Sequence, residues 1–95
     1  LALNAHADTA RTQRLEMVCD EPSKMINFLA KEGEVPLMVA DGFNSPGQKI
    51  TVWVSTSGAL TITQSTRNIM CMLGAGTDMQ IVPGSVERLR RRPQL

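Results

Sequence analysis

The hydrophobic period of this chain changes once, at Gly33. Before it, Met25, Ile26, Phe28 and Leu29 fall at i, i+1, i+3 and i+4, one apolar stripe of a helix. Beyond it, apolar and polar residues alternate, which is the period of a half-buried strand. One helix followed by several short strands leaves few ways to bury an apolar stripe and an apolar sheet face. The simplest is to pack one on the other.

The helix has clear ends. Asp20 and Glu21 place negative charge at its start, and Pro22 suits the first helical position. Lys24, Asn27 and Lys31 take the polar face, and Gly33 stands where a left-handed C-cap is wanted. A helix is expected from about Pro22 to Glu32. Residues 8–18 are polar; Thr9 to Val18 reads either as a helix through Leu15 and Val18 or as an extended lead-in.

Val35 to Ala40 reads as the first strand, with Pro36 near its start or on an edge because it has no N–H for the ladder. Asp41-Gly42 and Asn44-Ser45-Pro46-Gly47 are turn chemistry. Lys49–Ser55 alternates, with Ile50, Val52 and Val54 on one face and Thr51, Trp53 and Ser55 on the other. Ser57-Gly58 reverses the chain into Ala59–Gln64. Thr66-Arg67-Asn68 turns it again into Ile69–Leu73, and Met79–Val82 has the pattern of a last short strand. The expected architecture is α+β: one N-terminal helix packed on a four-stranded antiparallel meander sheet.

The aliphatic face of that sheet is expected to meet the helix. Trp53 then points outward beside Thr51, flanked by Thr61 and Thr63, and these four are the candidate partner-contact residues. An outward indole is a plausible contact anchor. Residues 8–18 or the C-terminal tail could equally cover it.

Ala5-His6-Ala7 follows the apolar Leu1-Ala2-Leu3, placing small residues at the two positions that signal peptidase reads. Residues 1–7 read as a secretory-signal remnant, the other reading being a frayed terminus or a first helical turn. Residues 8–82 then form the single small domain. No stretch approaches the roughly 20 apolar residues that span a membrane. Export to the periplasm or beyond makes Cys19 and Cys71, the only two cysteines, a candidate disulfide. Two buried thiols or half of a metal site are the rival readings. A bridge would close a long loop and supply stability that a 95-residue chain otherwise lacks.

Net charge is +1 and unevenly spread. Residues 83–95 carry Arg88, Arg90, Arg91 and Arg92 against Glu87, whereas the rest of the chain is mildly acidic. Pro83, Gly84 and Pro93 bracket this basic tail, which is expected to be poorly ordered. Leu89-Arg90-Arg91-Arg92 could meet nucleic acid or anionic lipid electrostatically. No aromatic residue is interleaved to stack on bases, so no nucleic-acid partner is expected and the tail reads as solvated.

The sequence of Cys19, the Phe28-Leu29-Ala30 helix, Gly33-Glu34-Val35-Pro36, Leu60-Thr61-Ile62 and Cys71-Met72-Leu73-Gly74-Ala75-Gly76 resembles small signal-bearing exported proteins common in alphaproteobacteria. The likeness covers residues 19–80. It departs at Glu32, where the group often has Tyr, and at Leu60-Thr61-Ile62, where it tends to Trp-Thr-Ile. The resemblance implies an exported, disulfide-tied domain and brings no activity with it.

The catalytic inventory is thin. His6 is the only histidine and lies in the presumed signal, so histidine triads, bases and metal sites have no candidate in the mature domain. Glu32 and Glu34 flank a helix end and read as solvated, and Gly74-x-Gly76 lacks the rest of a phosphate loop. No cofactor, metal or catalytic residue is expected. The chain reads as a non-enzymatic envelope module that binds another envelope protein or a second copy of itself. The alternative is a small structural or inhibitory protein acting on a cell-wall enzyme.

Overall fold

The computed structural model describes residues 16–91. The presumed signal 1–7 and most of the lead-in therefore lie outside the described residues. In chain order the elements are β1 (Val18–Asp20), α1 (Pro22–Lys31), β2 (Val35–Asp41), β3 (Lys49–Val54), β4 (Leu60–Ser65), β5 (Met70–Gly76) and α2 (Ser85–Arg91). The class is α+β, with a five-stranded antiparallel sheet in the order β1-β5-β4-β3-β2.

The helix ends follow from local chemistry. Pro22 occupies the first turn, and the carbonyl of Glu21 accepts from the N–H groups of Lys24 and Met25. At the other end Gly33 adopts φ +79°. Its N–H donates to the carbonyl of Ala30, and that of Glu34 donates to Leu29, both at 3.0 Å. This pair of bonds closes a Schellman motif, which a left-handed residue makes possible.

The strand count departs from the four expected. β1 joins the sheet beside β5, because three residues suffice for a ladder although they are too few to show a period. Met79–Val82 forms no strand. Instead the N–H of Met79 donates to the carbonyl of Gly58 at 2.9 Å, laying the segment against the β3–β4 turn. The basic tail also differs: residues 85–91 form α2, although every residue in it except half-buried Ser85 is exposed. Val86 and Leu89 give it an apolar stripe that the density of arginines obscured.

The larger correction concerns the faces. Trp53 is buried, 6% exposed, and clusters with Met25 and Leu29 of α1 and with Met70 of β5. The helix therefore covers the face that carries Trp53, Thr51, Thr61 and Thr63, and the aliphatic face is the one left open. Alternation separates two faces but does not say which one a helix will cover. Here the indole is the largest apolar body in the sheet, and small threonines beside it leave room for the helix to approach. The Trp53 Nε1–H donates to Thr63 Oγ1 at 2.9 Å, so the indole goes under the helix with its polar atom satisfied. Of the helix stripe only Met25 and Leu29 are buried; Ile26 and Phe28 flank the contact and stay exposed.

β1 and β2 occupy opposite edges of the sheet, so the connection through α1 runs from one edge to the other. Its first end is held covalently. Cys19 and Cys71 are directly opposed across β1 and β5, with Cα atoms 4.0 Å apart, and form a disulfide. Cys71 lies on the open face, because its register pairs it with Gln64 and residues opposite one another share a face.

The free edge at β2 is partly protected. Gly42 donates to the carbonyl of Gln48 at 2.8 Å, so alternation along the antiparallel ladder turns the backbone groups of Val39 and Asp41 away from β3. The register shifts between Pro36 and Met38, and Pro36 again faces outward. A residue with no N–H thus sits where an N–H would invite another strand.

Four outcomes are expected. Replacing both cysteines with serine lowers stability by about 2–4 kcal/mol in urea unfolding, given the long loop the bridge closes. Purified, unreduced, denatured protein shows no titratable thiol. Trp53 is the only tryptophan. Its emission in dilute protein is expected to be blue-shifted and resistant to iodide, and Trp53→Phe costs about 1–2 kcal/mol through the lost hydrogen bond and volume.

Candidate functional site

The four residues chosen from sequence do converge. Thr51 lies opposite Thr63 and Trp53 opposite Thr61, so they form one patch across β3 and β4. All four are buried, Thr63 completely. The patch is the floor of the core and presents no surface to a partner, so the premise for a contact role is gone.

The surface to consider is its reverse. Register places Val35, Met38 and Ala40 of β2 with Ile50, Val52 and Val54 of β3, and these with Leu60 and Ile62 of β4. Gln64, Gly74, Gly76 and the Cys19–Cys71 bridge continue the same face toward the other edge. Five of these side chains, Ile50, Val52, Val54, Leu60 and Ile62, are half-buried; Val35 and Met38 are exposed. No residue of the face is charged. With strands about 4.8 Å apart and a rise of about 3.3 Å per residue, its footprint is on the order of 300 Å². An apolar patch of that extent is the size of the largest patch on an ordinary monomer, which is often functional. α1 lies on the other side of the sheet, and α2 is exposed, so among the described residues this face receives no helix.

Two features border it. Phe43, in the β2–β3 turn, is fully exposed. Its turn is ordered by Gln48, whose buried side chain accepts the N–H of Asn44 at 3.3 Å. Asp41 and Lys49, opposed at the start of the same hairpin, form an ion pair. The hydrogen bond from Lys49, and then its charge, hold the Asp41 carboxyl below the usual carboxylate range, against a smaller opposing effect of desolvation.

Beyond the hairpin lies a cleft of about 530 Å³ lined by Pro46, Gly47, Lys49, Ser65, Thr66, Arg67 and Asn68. Its lining is exposed apart from half-buried Ser65, and its lysine is already paired with Asp41. It offers no buried polar group to orient a ligand. Glu34, read from sequence as solvated, is 8% exposed, and its Oε1 has no hydrogen-bond partner. The Schellman motif pulls it in, since its own N–H must reach Leu29. Among the described residues no group of three or more His, Cys, Asp or Glu is placed to hold a metal ion.

Sequence reasoning missed the open face because it assigned those aliphatic residues to the core. The available signal was the threonine-rich, tryptophan-bearing alternate face, which is as buriable as the aliphatic one once the indole has a hydroxyl partner.

Comparison with family models, with curated proteins and with solved structures finds no match for this chain.

Lys49→Gln is expected to return the Asp41 carboxyl upward toward its ordinary value in an NMR titration. With the folded value depressed, the pair's small stabilisation is present above the unfolded carboxylate value. It is lost as pH falls through the folded one.

Proposed function

We propose that this chain is an exported, non-enzymatic binding module that engages an envelope protein through its open sheet face. The observation that carries this reading is the face itself: a continuous, uncharged, aliphatic surface across β2, β3 and β4 with no helix over it among the described residues. A small domain that needs apolar surface for its own stability leaves this much uncovered at a cost, and association with another surface removes that cost. The absence of charge favours an apolar partner surface over a charged polymer.

Export is supported by three separate features. The Ala5-His6-Ala7 pattern fits a signal-peptidase site, the cysteine pair is oxidised, and the arrangement of motifs resembles small exported alphaproteobacterial proteins. No helix among the described residues is long and apolar enough to cross a membrane.

Val52 sits in the middle of the face, opposite Ile62 and Met38. Val52→Lys is expected to fold, because the residue is half-exposed and lies outside the Trp53 core, and to shift stability by no more than about 1 kcal/mol. In crosslinking to envelope extract the native chain is expected to yield a discrete adduct. Val52→Lys should abolish it, and Lys31→Gln, on the helix, should leave it unchanged. An identical adduct set for native and Val52→Lys protein would refute the reading.

A further inference from the structure

A second unpartnered apolar surface lies apart from the sheet face, in the segment Ile81–Arg91. Ile81, Val82, Val86 and Leu89 are all exposed, Leu89 to 71%. Val86 and Leu89 are three residues apart on α2 and so share one stripe. Around the rest of the helix stand Arg88, Arg90 and Arg91, with Glu87 as the single acid. At 100° per residue Arg90 flanks the stripe next to Val86, while Arg88, Arg91 and Glu87 lie further round. None of these arginines has a salt-bridge partner among the described residues; the ion pairs found there are Lys24–Glu21 and Lys49–Asp41.

The segment follows an anchored residue and is shaped by its own backbone bonds. Met79 is bonded to Gly58, and Ser85 donates to the carbonyl of Val82 at 3.1 Å. Gly84, at φ +82°, turns the chain into the helix, and the N–H of Arg88 donates to its carbonyl at 3.1 Å. The result is a short helix presented outside the domain, with aliphatic side chains bare on one side, Arg90 at their edge, and Arg88 and Arg91 on the polar side.

From this arrangement we infer that Ile81–Arg91 docks the domain on an anionic phospholipid surface. The aliphatic side chains enter the headgroup boundary, and the arginines reach lipid phosphates with their stems laid along it. The charge pattern selects this occupant. The open sheet face of the same chain is uncharged and would leave three guanidinium groups without partners. Nucleic acid would use the arginines but leave the aliphatic stripe wet. Only an anionic amphiphilic surface satisfies both. A helix this short gives reversible attachment, which suits a domain that must also reach a protein partner.

The test is flotation of the full chain with vesicles of phosphatidylcholine alone and of phosphatidylcholine mixed with phosphatidylglycerol. Binding is expected only to the mixed vesicles and should weaken as salt is raised. Each arginine near an anionic leaflet is worth about fivefold in partition, so replacing Arg88, Arg90 and Arg91 together with Gln should lower binding about a hundredfold. Leu89→Ser should lower it about tenfold, through the lost insertion of one leucine. A blue shift of tryptophan emission in a Val86→Trp variant, referenced to the same change made in a Trp53→Phe background, should accompany binding.

Several results would overturn the inference. One is the absence of binding, or equal binding to both vesicle types. Another is a Leu89→Ser variant that binds as well as native protein while a DNA oligonucleotide competes the vesicles away, which would reduce the arginines to a general polyanion site. A third is a Leu89→Ser variant altered in oligomeric state and not in flotation, which would assign the stripe to a second copy. Near-UV circular dichroism on each variant verifies that the packing of the Met25–Leu29–Trp53 core is intact.

Discussion

The indole of Trp53 under α1 is the contact on which the rest of this domain depends. Among the described residues the buried apolar set is small: Met25, Leu29, Trp53 and Met70, with Met72 packed against it. Trp53 is the largest of these, and the bond from its Nε1 to Thr63 fixes its orientation. Remove the indole and the helix has two side chains facing a floor of threonines. So few core residues would not ordinarily hold a chain of this size, and the disulfide supplies the difference by limiting the unfolded ensemble.

The choice of covered face sets the character of the molecule. Had α1 closed over Ile50, Val52, Val54, Leu60 and Ile62, the exterior would have carried threonines and one tryptophan, an ordinary polar sheet surface. By covering the Trp53 side, the fold sends its β-branched aliphatic residues outward. The same residues that alternate most cleanly in sequence thereby become the surface available for association. The free edge of β2 is managed differently, with Pro36 and a register shift limiting strand addition.

What was legible in the sequence was local. Pro22, the Met25–Leu29 spacing and Gly33 define α1 to within a residue, because caps and stripes are written in neighbouring positions. The hairpins could be read for the same reason, since Asp41-Gly42, Ser57-Gly58 and Thr66-Arg67-Asn68 mark their turns. What was not legible depends on distant pairing. β1 is only three residues long and exists because Cys19 faces Cys71. The covered face depends on which side of the sheet the β1–α1–β2 connection takes, and no alternation pattern encodes that. α2 was missed because its composition resembles a solvated tail, and a stripe of two residues is too short to stand out.

The bridge between Cys19 and Cys71 also sets how the domain bears mechanical load. Tension applied at residue 18 and at residue 77 travels from Cys19 across the disulfide to Cys71 and leaves along the end of β5. The 52-residue span between the cysteines, which holds α1, β2, β3 and β4, stands outside that path. A domain tethered on one side of the bridge and pulled on the other therefore transmits force along a covalent shortcut. Its helix, its Trp53 core and most of its open face remain slack while the chain around them is stretched.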